Sequence, residues 1–276
     1  MRNSRLKVLG ALLLYSHVQP STQTEDDTST AETVNPRQTG LALQLDDGTR
    51  KSHSVAQNSA FVTGFFKGIS KPESYRNLLT SLYFVYKAME EAFESTEIAT
   101  DERVKALDDR ELRRLSALEE DMDYFYGKDR DQDWKNRLPS PTKATKKYVA
   151  RIQQLVEDPD LSYLLIAHQY TRYLGDLFGG QMMGGMAQRT MQLPSDGSGV
   201  AFYQFDEIPN TTDYITDWYT RLNSLELTTH QKLAIVDEAN LVFDLNIGLL
   251  EELEGSPLAA LWSMAISSIK EKLGYS

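Results

Sequence analysis

Arg172 and Asp176 stand four residues apart, one helical turn, at the edge of an unusual run, "TRYLGDLFGGQMMGGMAQR" (171–189). Five glycines fall between positions 175 and 185 in a segment whose flanks read as helix. In a helix interior they would cost about 4 to 5 kcal/mol relative to alanine, a large part of a typical domain's stability of about 5 to 15 kcal/mol. Two explanations stay open. Gly175/Gly179 and Gly180/Gly184 are each spaced for close helix packing. Equally, glycine leaves backbone free to approach a large flat ligand. The Arg172/Asp176 pair could be a surface ion pair of about 0.3 to 0.5 kcal/mol, and Tyr83, Tyr86, Tyr170 and Tyr173 could be packing residues with a polar tip. Of the four histidines, His17 lies in a polar tail and His230 at a helix start. His168, inside "YLLIAHQYTRYL", reads as a hydrogen-bonded core residue. His53 shares a helical stripe with Val55, Ala56 and Ala60, with Gln57 one turn on, and is open to a structural role or to metal ligation.

The 276-residue chain has no cysteine, which excludes disulfides, thiolate metal sites and cysteine nucleophiles. Its formal net charge is -11, and residues 1–40 are balanced, with four basic (Arg2, Arg5, Lys7, Arg37) and four acidic (Glu25, Asp26, Asp27, Glu32) residues. The acidity therefore belongs to residues 41–276 and argues against nucleic-acid binding. No apolar run approaches the roughly 20 residues of a membrane-spanning helix, so no transmembrane anchor is expected. "VLGALLLY" after three basic residues suggests targeting, and "LAALWSMAISSI" reads as the apolar face of a final helix. One stretch, "WKNRLPSPTKATKKYVAR" (134–151), carries Lys135, Arg137, Lys143, Lys146, Lys147 and Arg151 with no acid. It is either a solvated helix start or a patch that steers an acidic protein partner.

These residues must be positioned by helices. Residues 16–40 are polar and read as linker, with structure expected from about Leu41. Helical apolar spacing follows in 75–93, 111–126 and 231–253, broken at Pro72, Pro139/Pro141, Pro159, Pro194 and Pro257. No strand pattern, phosphate loop or internal repeat is present, so the expectation is an all-α single domain of about eight helices over 41–254, with an N-terminal extension (1–40) and a C-terminal helix or tail (255–276).

Taken together, "TRKSHSVAQN" (49–58), "SLYFVYKAMEE" (81–91), "LEEDMDYFYG" (118–127), "AHQYTRYLGDLFGGQ" (167–181) and "LNSLELT" (222–228) resemble the haem oxygenases, nearest the plant, algal and cyanobacterial branch, over roughly residues 41–254. The resemblance implies a helical domain that sandwiches haem b, as substrate and cofactor, between a proximal helix bearing the iron ligand His53 and a kinked glycine-rich distal helix. It implies haem contacts from Arg50, Gln57, Tyr170, Gly175, Gly179, Gly180 and Phe243. Asp176 would order a distal water, with Arg172 and Tyr86 completing the network. Haem, O2 and electrons from ferredoxin or another reductase would give biliverdin, carbon monoxide and ferrous iron. Ferredoxin would dock at Lys135, Arg137, Lys143, Lys146, Lys147 and Arg151, a bilin reductase would follow, and the plastid stroma is the expected compartment, the cytoplasm the alternative.

The chain departs from the family pattern where basic residues usually meet the haem propionates: Asp46, Ile215 and Tyr219 stand there instead. Arg50, Lys51 and Arg221 are the possible replacements. Gln57 replaces an acidic residue near the axial histidine, and Phe178 a small serine among the glycines. These departures define an alternative, a non-catalytic tetrapyrrole-binding relative. A ligand-free helical interaction protein is a third.

Overall fold

The computed structural model describes residues 34–59, 62–64, 71–127 and 133–253; the expected targeting segment and the final apolar segment lie outside them. Among the described residues every regular element is helical. Helix α1 (Gly40–Gln57) buries Leu41, Ala42, Leu45 and Thr49 along one stripe, the i, i+4 spacing that turns a single face inward. Helix α2 (Pro72–Glu94) starts at a proline in its first turn and buries residues nearly all round, among them Tyr75, Leu79, Tyr83, Tyr86 and Met89. It is the central helix, covered by α3 (Leu115–Tyr126) and α4 (Lys143–Glu157).

The glycine-rich segment is one continuous rod with a defect. A single α turn, α5 (Leu165–His168), leads into a π-helical turn at Gln169–Leu174 and then into α6 (Gly175–Met191). A π turn accommodates an extra residue and rotates the helix that follows, so the expected irregularity lies just before the first glycine. Two further helices, α7 (Thr211–Ser224) and α8 (Thr229–Leu253), complete the core. Helix α8 packs chiefly on α1. There Gly48 lets the α8 residue Val236 in so closely that a β-carbon would overlap it. Ser52 and Asn240 are hydrogen-bonded across the same seam at 2.6 Å.

Among the described residues, a short turn already precedes the expected start at Leu41. Asn35 caps a 3-10 turn at Pro36–Gln38, and the α7 residue Asn223 fastens it. The Asn223 amide donates to the Pro36 carbonyl at 2.7 Å and its oxygen accepts from the Ala42 N–H at 3.0 Å. Gly40 is required in between, because it has φ +57° and an added β-carbon would stand 2.6 Å from the Asn223 oxygen.

Candidate active site

Asp46, Thr49, His53 and Gln57 follow one another at helical spacing along one face of α1. The His53 ring meets Phe243 of α8 edge-on, centroids 5.8 Å apart at 88°. Surrounding protein lowers the His53 pKa by desolvation; Arg37 adds to this and Asp46 opposes it. The imidazole is therefore biased to the neutral form, whose bare nitrogen can ligate a metal. Across from α1, Tyr170 in the π turn lies beside Thr49, and burial pushes its hydroxyl up to about 12.

The second group lies at the start of α6. The Arg172 guanidinium reaches both Asp176 oxygens, at 3.1 and 3.0 Å, and donates to Asn246 of α8 at 2.9 Å. The Tyr86 hydroxyl donates to the same carboxylate, and the Arg172 guanidinium lies 5.4 Å from the Tyr86 ring centroid. Burial raises the Asp176 pKa, with Arg172 first among the groups that pull it back. Both side chains keep 13% exposure. The pair is no surface ion pair: three helices converge on it and leave it largely enclosed. Asn246 is the member of this set that sequence reasoning missed, since one asparagine within the apolar α8 pattern carries no local signal.

The glycines divide between two environments. A β-carbon at Gly180 or Gly184 would stand 2.7 or 2.9 Å from Tyr203, so these two make room for a buried ring. At Gly175 and Gly179 a β-carbon would meet nothing within 4 Å, and both are exposed. The protein itself does not need glycine at 175 or 179. Gly180, expected to face a ligand, instead packs against Tyr203.

Other expectations are redistributed too. Arg50, 72% exposed, pairs with Asp47 on its own helix, and Arg221 is bound to Asp109 and Asp217. Lys51 is exposed. Ile215 and Tyr219 are buried in the core. The cation that does approach His53 is Arg37, from the Pro36–Gln38 turn. Its guanidinium bonds Asp46 at 2.7 Å and lies 5.9 Å from the Phe178 ring centroid. Phe178 therefore sits under an arginine at the surface, 41% exposed. Within the basic stretch, Lys135 pairs with Glu119 at 2.7 Å, and Arg137 donates to the carbonyls of Tyr126 and Gly127. Arg151 is drawn to Glu238 of α8, leaving Lys143, Lys146 and Lys147 exposed along the start of α4. His168 is fully buried and its Nε2 lies 3.2 Å from Glu238, as a core histidine should be. Burial would raise the Glu238 carboxyl, but bonds from His168 and Arg151 hold it at about 2.

Comparison with known proteins agrees with this geometry. The Heme oxygenase family model matches residues 39–252. The heme oxygenase of Guillardia theta is 41% identical over 216 residues, 78% of this chain and 87% of that protein. Heme oxygenase 1 of Nostoc sp. is 38% identical over 234 residues, 84% of this chain and 93% of its own length. Among solved structures, heme oxygenase-1 from the cyanobacterium Synechocystis sp. in complex with heme superposes with a TM-score of 0.72 at 38% identity, covering 84% of this chain and all of that one.

Proposed function

The chain belongs to the haem oxygenase family, and on that premise we propose that it binds haem between α1 and α6 and opens the ring to biliverdin, carbon monoxide and ferrous iron. The observation that carries this reading is the bare backbone of Gly175 and Gly179, for which no atom of the described residues gives a packing reason, directly beside the fastened carboxylate of Asp176. A flat macrocycle needs such a face, and nothing in the apoprotein does.

Haem would supply the redox-active iron and the conjugated ring that is itself oxidised. His53, biased to the neutral form, would hold the iron from α1, with Phe243 limiting the tilt of its ring. Gly175 and Gly179 would leave space on the opposite face for O2 and little else. Asp176 is fixed from behind by Arg172 and Tyr86, and its residual exposure leaves room for a water to donate a hydrogen bond to its carboxylate. Its raised pKa lets that carboxylate exchange a proton closer to neutrality than an ordinary aspartate. A passive tetrapyrrole carrier would have no use for an enclosed acid held by both Arg172 and Tyr86, which favours the enzyme over the carrier.

Electrons would come from an acidic donor such as ferredoxin, guided by Lys143, Lys146 and Lys147. A bilin reductase would take the product, and likeness to algal relatives favours the plastid. Among the described residues no helix is long and apolar enough to cross a membrane.

The test is a time course of absorption spectra after haemin, reduced ferredoxin and air are added to the purified protein. Replacement of the Soret band by that of biliverdin, with about one carbon monoxide released per haem, is the expected result. Asp176→Ala should form the Soret complex and yield no biliverdin. A wild-type complex that persists unchanged would overturn the reading.

A further inference from the structure

We propose that Arg37 is the carboxylate-binding arm of the haem site, held by Asp46 until a propionate takes the carboxylate's place. The proposal rests on the haem-binding reading above and assigns a role to a segment outside the expected domain. Haem carries two propionate carboxylates on one edge, and a guanidinium fork is the side chain best matched to a carboxylate. The other candidate cations are disposed differently. Lys51 is exposed on α1 with no ion pair, among the described residues, to either wall of the site. Arg50, which also comes within 4.0 Å of Asp46, is the more exposed of the two arginines there. Arg172 serves Asp176 and Asn246, Arg50 pairs with Asp47, and Arg221 is turned to Asp109 and Asp217.

Arg37 differs from these in place and in partner. Its charge is felt at His53, at the partly buried Tyr170 and at the buried Tyr219, and desolvation raises the hydroxyl pKa of both tyrosines. It joins the two walls of the site, bonding Asp46 on α1 while lying over Phe178 on α6. Its backbone is no loose tail, since Asn223 pins the turn on both sides through Pro36 and Ala42. Both partners of the ion pair remain about one-third exposed, Arg37 at 37% and Asp46 at 34%. A ligand carboxylate can therefore reach the guanidinium without unfolding anything. Asp46, which stands where the family pattern has a basic residue, becomes the placeholder that keeps the arm extended between α1 and α6.

The inference is tested by titrating haemin and haemin dimethyl ester, which lacks the propionate charges, into the full chain and three variants. Wild type should bind haemin about tenfold more tightly than the ester. Arg37→Ala should lose that preference while its affinity for the ester and its helical circular dichroism stay unchanged. Arg37→Lys should keep part of it. Asp46→Asn, which frees the guanidinium from its internal carboxylate, should strengthen haemin binding and leave the ester unaffected. An Arg37→Ala protein that retains the full preference, or a wild type that binds both ligands equally, would overturn the inference alone. A wild type that binds neither would overturn the haem-binding reading with it.

Discussion

A methyl group added at Gly180 would stand 2.7 Å from the Tyr203 ring, whereas one added at Gly179 would meet no protein atom within 4 Å. The two neighbours therefore respond in opposite ways. Gly179→Ala removes backbone freedom from the unfolded chain and adds about 1 kcal/mol of helix propensity. It should raise the melting temperature of the apoprotein by about 2 to 4 °C. Gly180→Ala forces a buried ring to move and should lower stability by about 1 to 3 kcal/mol. Calorimetric scans of the two apoproteins check this, and two changes of the same sign would contradict it. The sequence could say that five glycines in a helix need a reason. It could not divide them, because the division depends on where Tyr203, over twenty positions away, places its ring. The motifs name His53, Asp176, Arg172 and Tyr86 as candidates, and the fold brings the last three into contact. Asn246 was not legible in them, and Arg37 stood in a Ser/Thr-rich stretch that reads as linker. Its only local signals are Asn35 and Pro36, a capping residue followed by a proline at the first helical position.

Three helices are tied together behind the site by one buried carboxylate. Glu238 on α8 accepts from Arg151 on α4 at 2.9 and 2.5 Å and faces His168 on α5 at 3.2 Å. Its pKa falls from 4.5 to about 2 in the folded protein. A depressed carboxylate adds stability above its unfolded pKa and loses it as pH falls through the folded one. Glu238→Gln should therefore be less stable than wild type by about 3 kcal/mol at neutral pH. The gap should close progressively below about pH 5 and vanish near pH 2. Urea unfolding of both proteins across that range reads the gap directly, and a gap independent of pH would show that the carboxylate is not ionised in the fold. The helices themselves were evident from their 3.6-residue periodicity. The π turn at Gln169–Leu174 was not, since "QYTRYL" contains no breaker and the extra residue is stabilised by what packs around it.

The molecule as a whole is acidic, with a formal charge of -11, yet α4 begins with Lys143, Lys146 and Lys147 exposed and no acid among them. On the proposed reading, that contrast would give an acidic electron donor an attractive face. Charge reversal at Lys146 and Lys147 together should slow reduction of bound haem by ferredoxin about tenfold at low salt. It should leave haemin affinity unchanged, and the deficit should shrink as ionic strength rises. Stopped-flow reduction kinetics at two salt concentrations check this; an undiminished rate would move the docking face elsewhere.

One ligand would account for a histidine on α1 biased to the neutral form, two bare glycines on α6 and a fastened aspartate between them. The most direct measurement is a crystal structure of the protein with haem. Iron bound by His53, the opposite face of the ring against the backbone of Gly175 and Gly179, and Asp176 on the same side as those glycines are the expected result. Iron held by another residue, or a ring lying away from Gly175 and Gly179, would contradict it.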